Sequence, residues 1–78
     1  MKGEKIYHDL RKRVARNVVR IRSTHGFTFE ELGRRSGLHW RHVQKVEAAE
    51  ANITLLTVAR LAEGLGVDAA ELFCRASR

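Results

Sequence analysis

Seventy-eight residues carry a net charge of +6, a single cysteine and no proline. Residues 1–78 are too few for more than one small domain with a marginal core. One thiol cannot close an intrachain disulfide, which suits a reducing cytosol, and no apolar run approaches a membrane span or a secretion signal. Twelve Lys and Arg against four Asp and Glu crowd residues 1–45, whereas residues 46–78 hold three against five. The basic excess in one half of the chain favours an anionic partner.

Apolar residues recur at helical intervals and no alternating run is long enough for a strand. The chain reads as all-α, a compact bundle of five helices. The first predicted helix runs from about Lys5 to His25. Leu10, Val14, Val18 and Ile21 share one face, while Arg11, Lys12, Arg13, Arg16 and Arg20 fall largely elsewhere. Gly26 is placed to stop it. The second helix starts at Thr28, which with Glu31 spells a capping box, and Phe27 with Leu32 spells a hydrophobic staple. It ends near Arg35–Ser36, where Gly37 can supply a left-handed turn. The third spans about His39 to Ala48, with Val43 and Val46 inward and Trp40, Arg41, Gln44 and Lys45 outward. Thr54 caps a fourth helix whose inward stripe is Leu55, Val58, Leu61 and Ala62. Asp68 and Glu71 spell a second capping box opening a short fifth helix, and residues 75–78 read as a frayed end.

From Phe27 to Glu47 this is a helix, a glycine-marked turn and a second helix. Leu32, Gly33, Gly37, Val43 and Val46 supply an apolar residue, a small one, a turn glycine and two apolar residues. On these positions the chain resembles, over roughly Val14 to Phe73, the Cro/C1-type helix-turn-helix regulators of the XRE family. Asn52-Ile53-Thr54-Leu55 and the run from Leu61 to Val67 look like that family's last two helices. Gly37-Leu38-His39 with Asn52-Ile53-Thr54 looks most like the short controller proteins of restriction–modification systems. Some positions depart from the pattern. Phe29 stands where a glutamine usually meets phosphate, Ala48-Ala49 replaces a common Asn-Gly, and Glu50 is acidic in a loop that usually approaches DNA.

The resemblance implies a lambda-repressor-like fold and a transcriptional regulator that binds specific double-stranded DNA. The helix-turn-helix would cover about 28–48, with recognition helix 39–48 in the major groove and a homodimer on a two-fold operator. Arg22 and Glu47 fall where many members carry a buried ion pair. Residue chemistry supports base contacts from the outward face. Arg41 and Lys45 are four apart, arginine can donate in pairs to guanine O6 and N7, and Gln44 can serve adenine. Trp40 can pack on a thymine methyl or sugar edge, or fold back over the second helix. Thr28, Arg34, Arg35, His39 and Asn52 are candidates for the DNA backbone, each also readable as a cap or a solvated charge. The apolar surface around Leu65, Val67, Leu72 and Phe73 is the expected dimer contact.

His39 and His42 have a spacing that can serve a metal, but lack a nearby Cys or carboxylate partner, so no metal or other cofactor is expected. Cys74 reads as a small apolar contact. No activated nucleophile or buried carboxylate pair stands out, which argues against an enzyme, and no small-molecule ligand is expected. No sensor domain is expected after Phe73, so regulation is expected to act through protein concentration or a partner protein. The expected location is the cytoplasm, on the nucleoid. The alternative is a protein-interaction module, such as the antitoxin of a toxin–antitoxin pair, suggested by Phe29, Trp40 and Glu50.

Overall fold

Each helix after the first begins at a residue whose side chain caps it, and every helix ends at a residue whose backbone N–H bonds back into its last turn. The computed structural model describes residues 2–75. They form α1 (Glu4–His25), α2 (Phe29–Ser36), α3 (Trp40–Glu47), α4 (Leu55–Leu65) and a 3-10 turn at Ala69–Phe73, with no strand among the described residues. Apart from Arg75, the expected frayed end lies outside them.

The capping box at α2 forms in both directions. The Thr28 hydroxyl accepts from the Glu31 amide at 3.0 Å, and the Thr28 amide donates to Glu31 Oε1 at 2.8 Å. Hydrogen bonding of the carboxylate by Thr28, through its amide first and then its hydroxyl, holds the Glu31 carboxyl below its usual pKa. Thr54 caps α4 by accepting from the Thr57 amide.

The expected count of five helices is corrected to four and a 3-10 turn. Asp68 accepts from the amide of Ala70, two residues on, rather than from Glu71, so the expected second capping box does not form as read. The backbone bonds Glu71 N–H to Asp68 and Cys74 N–H to Glu71 are both three residues long. A segment of five residues is too short to propagate an α-helical ladder and tightens instead.

The core is built from Val14, Val18 and Ile21 of α1, Leu32 of α2, Val43 and Val46 of α3, Val58, Leu61 and Leu65 of α4, and Leu72. Leu55 does not join it: the side chain is 84% exposed, and its neighbour Leu56 is 58% exposed. Leu55 lies on the expected stripe, but in the first turn of α4, where the helix has left the bundle. It edges a shallow apolar groove of about 170 Å³, lined also by Tyr7, Leu10, Ile53, Val58 and Phe73. Leu65 and Leu72 are 2% and 0% exposed. Both are sealed inside one subunit, so of the four residues expected around a dimer contact only Val67 and Phe73 keep exposed surface.

Close packing sets the helix-turn-helix angle. A methyl group on Gly33 would lie 2.6 Å from the Leu38 carbonyl oxygen and 3.3 Å from the Trp40 amide nitrogen, so the turn crosses α2 where only glycine fits. Gly37 takes φ 70°, the left-handed conformation that ends α2 and redirects the chain. Asn17 is the one buried side-chain amide on α1. Its Nδ2 donates to the carbonyls of Leu72 and Cys74, both at 2.9 Å, which fastens the C-terminal turn to α1.

Candidate nucleic-acid interface

The α2–turn–α3 unit presents one face of α3 to solvent. Val43 and Val46, three residues apart, are fully buried, whereas Arg41 and the residues three and four beyond it, Gln44 and Lys45, are exposed. This is the helical period expressed as burial: the apolar pair anchors the helix, and the polar trio projects from the opposite side. His39 starts the helix, its Nδ1 accepting from the Arg41 amide at 3.1 Å. Trp40 is half-buried and stacks on His39, with ring centroids 5.7 Å apart. The Arg41 guanidinium lies 5.3 Å from the Trp40 ring centroid, so the indole is a shelf for the arginine.

A two-point ion pair holds this helix against α1. Arg22 donates from Nε and Nη2 to the two carboxylate oxygens of Glu47 at 2.5 and 3.0 Å. Its Nη1 donates to the Phe27 carbonyl at 2.8 Å, and the guanidinium sits 4.3 Å from the Phe29 ring centroid. The hydrogen bond to Glu47 raises the Arg22 pKa above its usual value, burial opposes this, and the charge of Glu47 adds to the rise. The fork geometry fixes both the end of α3 and the corner between α1 and α2. Phe29 thus serves as the flat surface under Arg22.

The backbone-contact candidates fall into two groups. Arg34 is exposed on α2. Thr28 and His39 are caps that remain at the surface. Arg35 is already engaged: Nε donates to the Gly64 carbonyl at 2.7 Å, and the guanidinium lies 4.5 Å from the Phe27 ring centroid. It covers a carbonyl at the end of α4. Asn52 is exposed in the loop after α3, and Tyr7 donates to its Oδ1 at 3.4 Å. That loop begins with a Schellman turn, Ala49 N–H to Val46 and Glu50 N–H to Lys45, in which Ala49 takes φ 58°.

Asn17, Tyr7 and the tie from Arg35 to Gly64 were missed in the sequence. Asn17 carried a signal, since it lies three residues after Val14 on the apolar stripe of α1. Tyr7 carried a weaker one, three residues before Leu10 on the same stripe. Nothing local points from Arg35 to Gly64. Among the described residues no group of three or more His, Cys, Asp or Glu is placed to hold a metal ion. No helix there is long and apolar enough to cross a membrane.

The family model described as helix-turn-helix matches residues 20–72. The chain is 39% identical over 64 residues to an uncharacterised helix-turn-helix-type transcriptional regulator of Sinorhizobium fredii, covering 82% of this chain and 83% of that one. It is 33% identical over 69 residues to the control protein C.SmaI of Serratia marcescens, covering 88% and 82%. Among solved structures, the restriction–modification controller protein C.AhdI of Aeromonas hydrophila superposes with a TM-score of 0.77 at 28% identity, covering 81% of this chain and 96% of that one.

Proposed function

Because the chain belongs to the helix-turn-helix family of XRE-type transcriptional regulators, we propose that it reads a two-fold operator as a homodimer, through Arg41, Gln44 and Lys45 in the major groove. The family makes it a DNA-binding regulator. The observation that carries the finer reading is the outer face of α3, where three hydrogen-bonding side chains are exposed directly opposite two fully buried valines. Trp40 then lies at the edge of that surface, bracing Arg41. Arg34, Thr28, His39 and Asn52 are the backbone contacts of this reading. Arg35 is left to brace α4. The 78 residues act as one DNA-binding domain, working in the cytoplasm on the nucleoid. The likeness to a control protein and to a restriction–modification controller protein supports a regulatory role of that kind.

For the dimer, the exposed apolar side chains Leu55 and Leu56 replace Leu65 and Leu72 as the central contacts, with half-buried Phe73 and Val67 retained. Leu55 and Phe73 line the same groove. Sedimentation across micromolar concentrations tests this. A concentration-dependent dimer is expected, shifted toward monomer by Leu55→Glu; a strict monomer with DNA present refutes it. The antitoxin alternative is not favoured, because Phe29 is occupied beneath Arg22 and Trp40 beside His39 and Arg41, so neither is a free docking side chain.

The deciding experiment selects a duplex from a random pool, then titrates wild type, Arg41→Ala and Arg34→Ala against selected and scrambled duplexes at several salt concentrations. Arg41→Ala should cost about 1–3 kcal/mol on the selected site and relax one base pair per half-site. Arg34→Ala should weaken all duplexes alike and lower the salt slope by about one. Half-sites should lie about one helical turn, roughly 34–36 Å, apart or a multiple of it. No sequence preference in wild type, or equal losses on both duplexes for Arg41→Ala, removes Arg41 as a reader of bases.

A further inference from the structure

The matched helix-turn-helix segment begins at residue 20, yet α1 begins at Glu4. The first four turns or so of α1 precede that segment, and Tyr7 on them reaches the loop that follows the recognition helix. The Tyr7 hydroxyl accepts the Ile53 N–H at 3.0 Å and lies 3.4 Å from Asn52 Oδ1. A phenol has one proton. With a lone pair of the hydroxyl receiving the Ile53 amide, that proton is directed to Asn52 Oδ1. In this arrangement the Asn52 amide oxygen is held by Tyr7, and its Nδ2, with no partner among the described residues, is the end left to donate outward. A phosphate oxygen accepts and cannot donate, so Nδ2 is the end that suits it. The Tyr7 ring is itself held, with the Arg11 guanidinium 5.4 Å from its centroid and Arg11 Nη2 2.8 Å from His8 Nδ1.

We propose that Tyr7 is a positioning residue for DNA binding. From the part of α1 that precedes the helix-turn-helix segment, it holds the loop after α3 so that the Asn52 side-chain N–H₂ faces the duplex backbone. This rests on the reading of Asn52 as a backbone contact. Without the Tyr7 hydroxyl the Ile53 N–H loses its acceptor, and the Asn52 amide is free to turn. The loop must then be ordered at the moment of binding, which lowers affinity without altering which bases are read.

The test titrates wild type, Tyr7→Phe, Asn52→Ala and the double variant against selected and scrambled duplexes at several salt concentrations. Each variant is checked for native helicity at the assay temperature. Tyr7→Phe keeps the ring and removes one oxygen. It should weaken both duplexes by the same factor, about three- to tenfold. The salt slope should not change, because neither residue is charged and no counterion is released through them. Asn52→Ala should behave alike, and the double variant should bind no worse than Asn52→Ala alone. A folded Tyr7→Phe with unchanged Kd, beside a weakened Asn52→Ala, overturns the positioning role and leaves the Asn52 contact standing. An Asn52→Ala protein with unchanged Kd overturns both. Losses that multiply in the double variant show that Tyr7 does not act through Asn52, and also overturn it. Amide exchange at Ile53 gives a separate measurement on the wild-type protein: it should be slowed, and released in Tyr7→Phe. Rapid exchange in wild type, as for an open loop amide, overturns the tie.

Discussion

Removing Glu47 tests how the recognition helix is held. Glu47→Ala deletes two charge-assisted hydrogen bonds and strands the Arg22 guanidinium, whose side chain is 19% exposed against 9% for Glu47. Breaking a buried pair on one side costs roughly 3–5 kcal/mol. Two features place this pair near the lower end. Arg22 keeps the Phe27 carbonyl and the Phe29 ring, and its exposed fraction lets water reach the stranded charge. The expected loss is about 3 kcal/mol. For a domain of this size that corresponds to a fall in Tm of roughly 12–24 °C. Total stability for so short a chain is on the order of 4–12 kcal/mol, so the loss removes roughly a quarter to three quarters of it. Glu47→Gln keeps one acceptor and should lose about half as much. The double variant Arg22→Met, Glu47→Leu removes both charges and fills the space, and should recover to within about 1 kcal/mol of wild type. The assay is urea unfolding followed by helicity and by Trp40 fluorescence at fixed protein concentration, because dimerisation is linked to folding. A loss below about 1 kcal/mol for Glu47→Ala, or a double variant as unstable as the single one, refutes the reasoning.

Two further perturbations probe the ends of the helix-turn-helix. The Glu31 carboxyl is held below its ordinary value of 4.5 by the Thr28 amide and hydroxyl, so its contribution is full above that value and fades as pH falls through the depressed folded value. Stability measured between pH 6 and 2 should decline in wild type with a component that Glu31→Gln lacks; identical pH dependence in both proteins would remove the capping box as its cause. Ala49 holds φ 58° at the end of α3, a conformation that costs a non-glycine residue about 1–2 kcal/mol. Ala49→Gly relieves it but loosens the unfolded chain by about 0.4–1 kcal/mol. The net expectation is a stabilisation of about 0.5–1 kcal/mol, read as a higher urea midpoint, and a lower midpoint would show that the Ala49 methyl matters more than its backbone strain.

Local pattern made most of the architecture legible. Helix positions follow from interactions between residues three and four apart, and these are written in the chain: the Thr28–Glu31 box, the stops at Gly26, Gly37 and Gly66, and the alternation of Val43 and Val46 with Arg41, Gln44 and Lys45. The outer face of α3 was readable for the same reason, since a helix that buries one face must expose the other. What periodicity cannot say is where a helix leaves the bundle. Leu55 sits on the apolar stripe of α4 and is nonetheless exposed, while Leu65 and Leu72, equally apolar, are sealed in the core. Nor does it say where a long side chain ends. Arg35 looked as free as Arg34, but it reaches the Gly64 carbonyl across a close approach of α2 and α4 that only the folded chain creates. Tyr7 and Ile53 are 46 residues apart and Asn17 and Leu72 are 55 apart. No local rule links such pairs: once helix lengths and turns are set, packing alone decides which buried donor meets which orphan carbonyl.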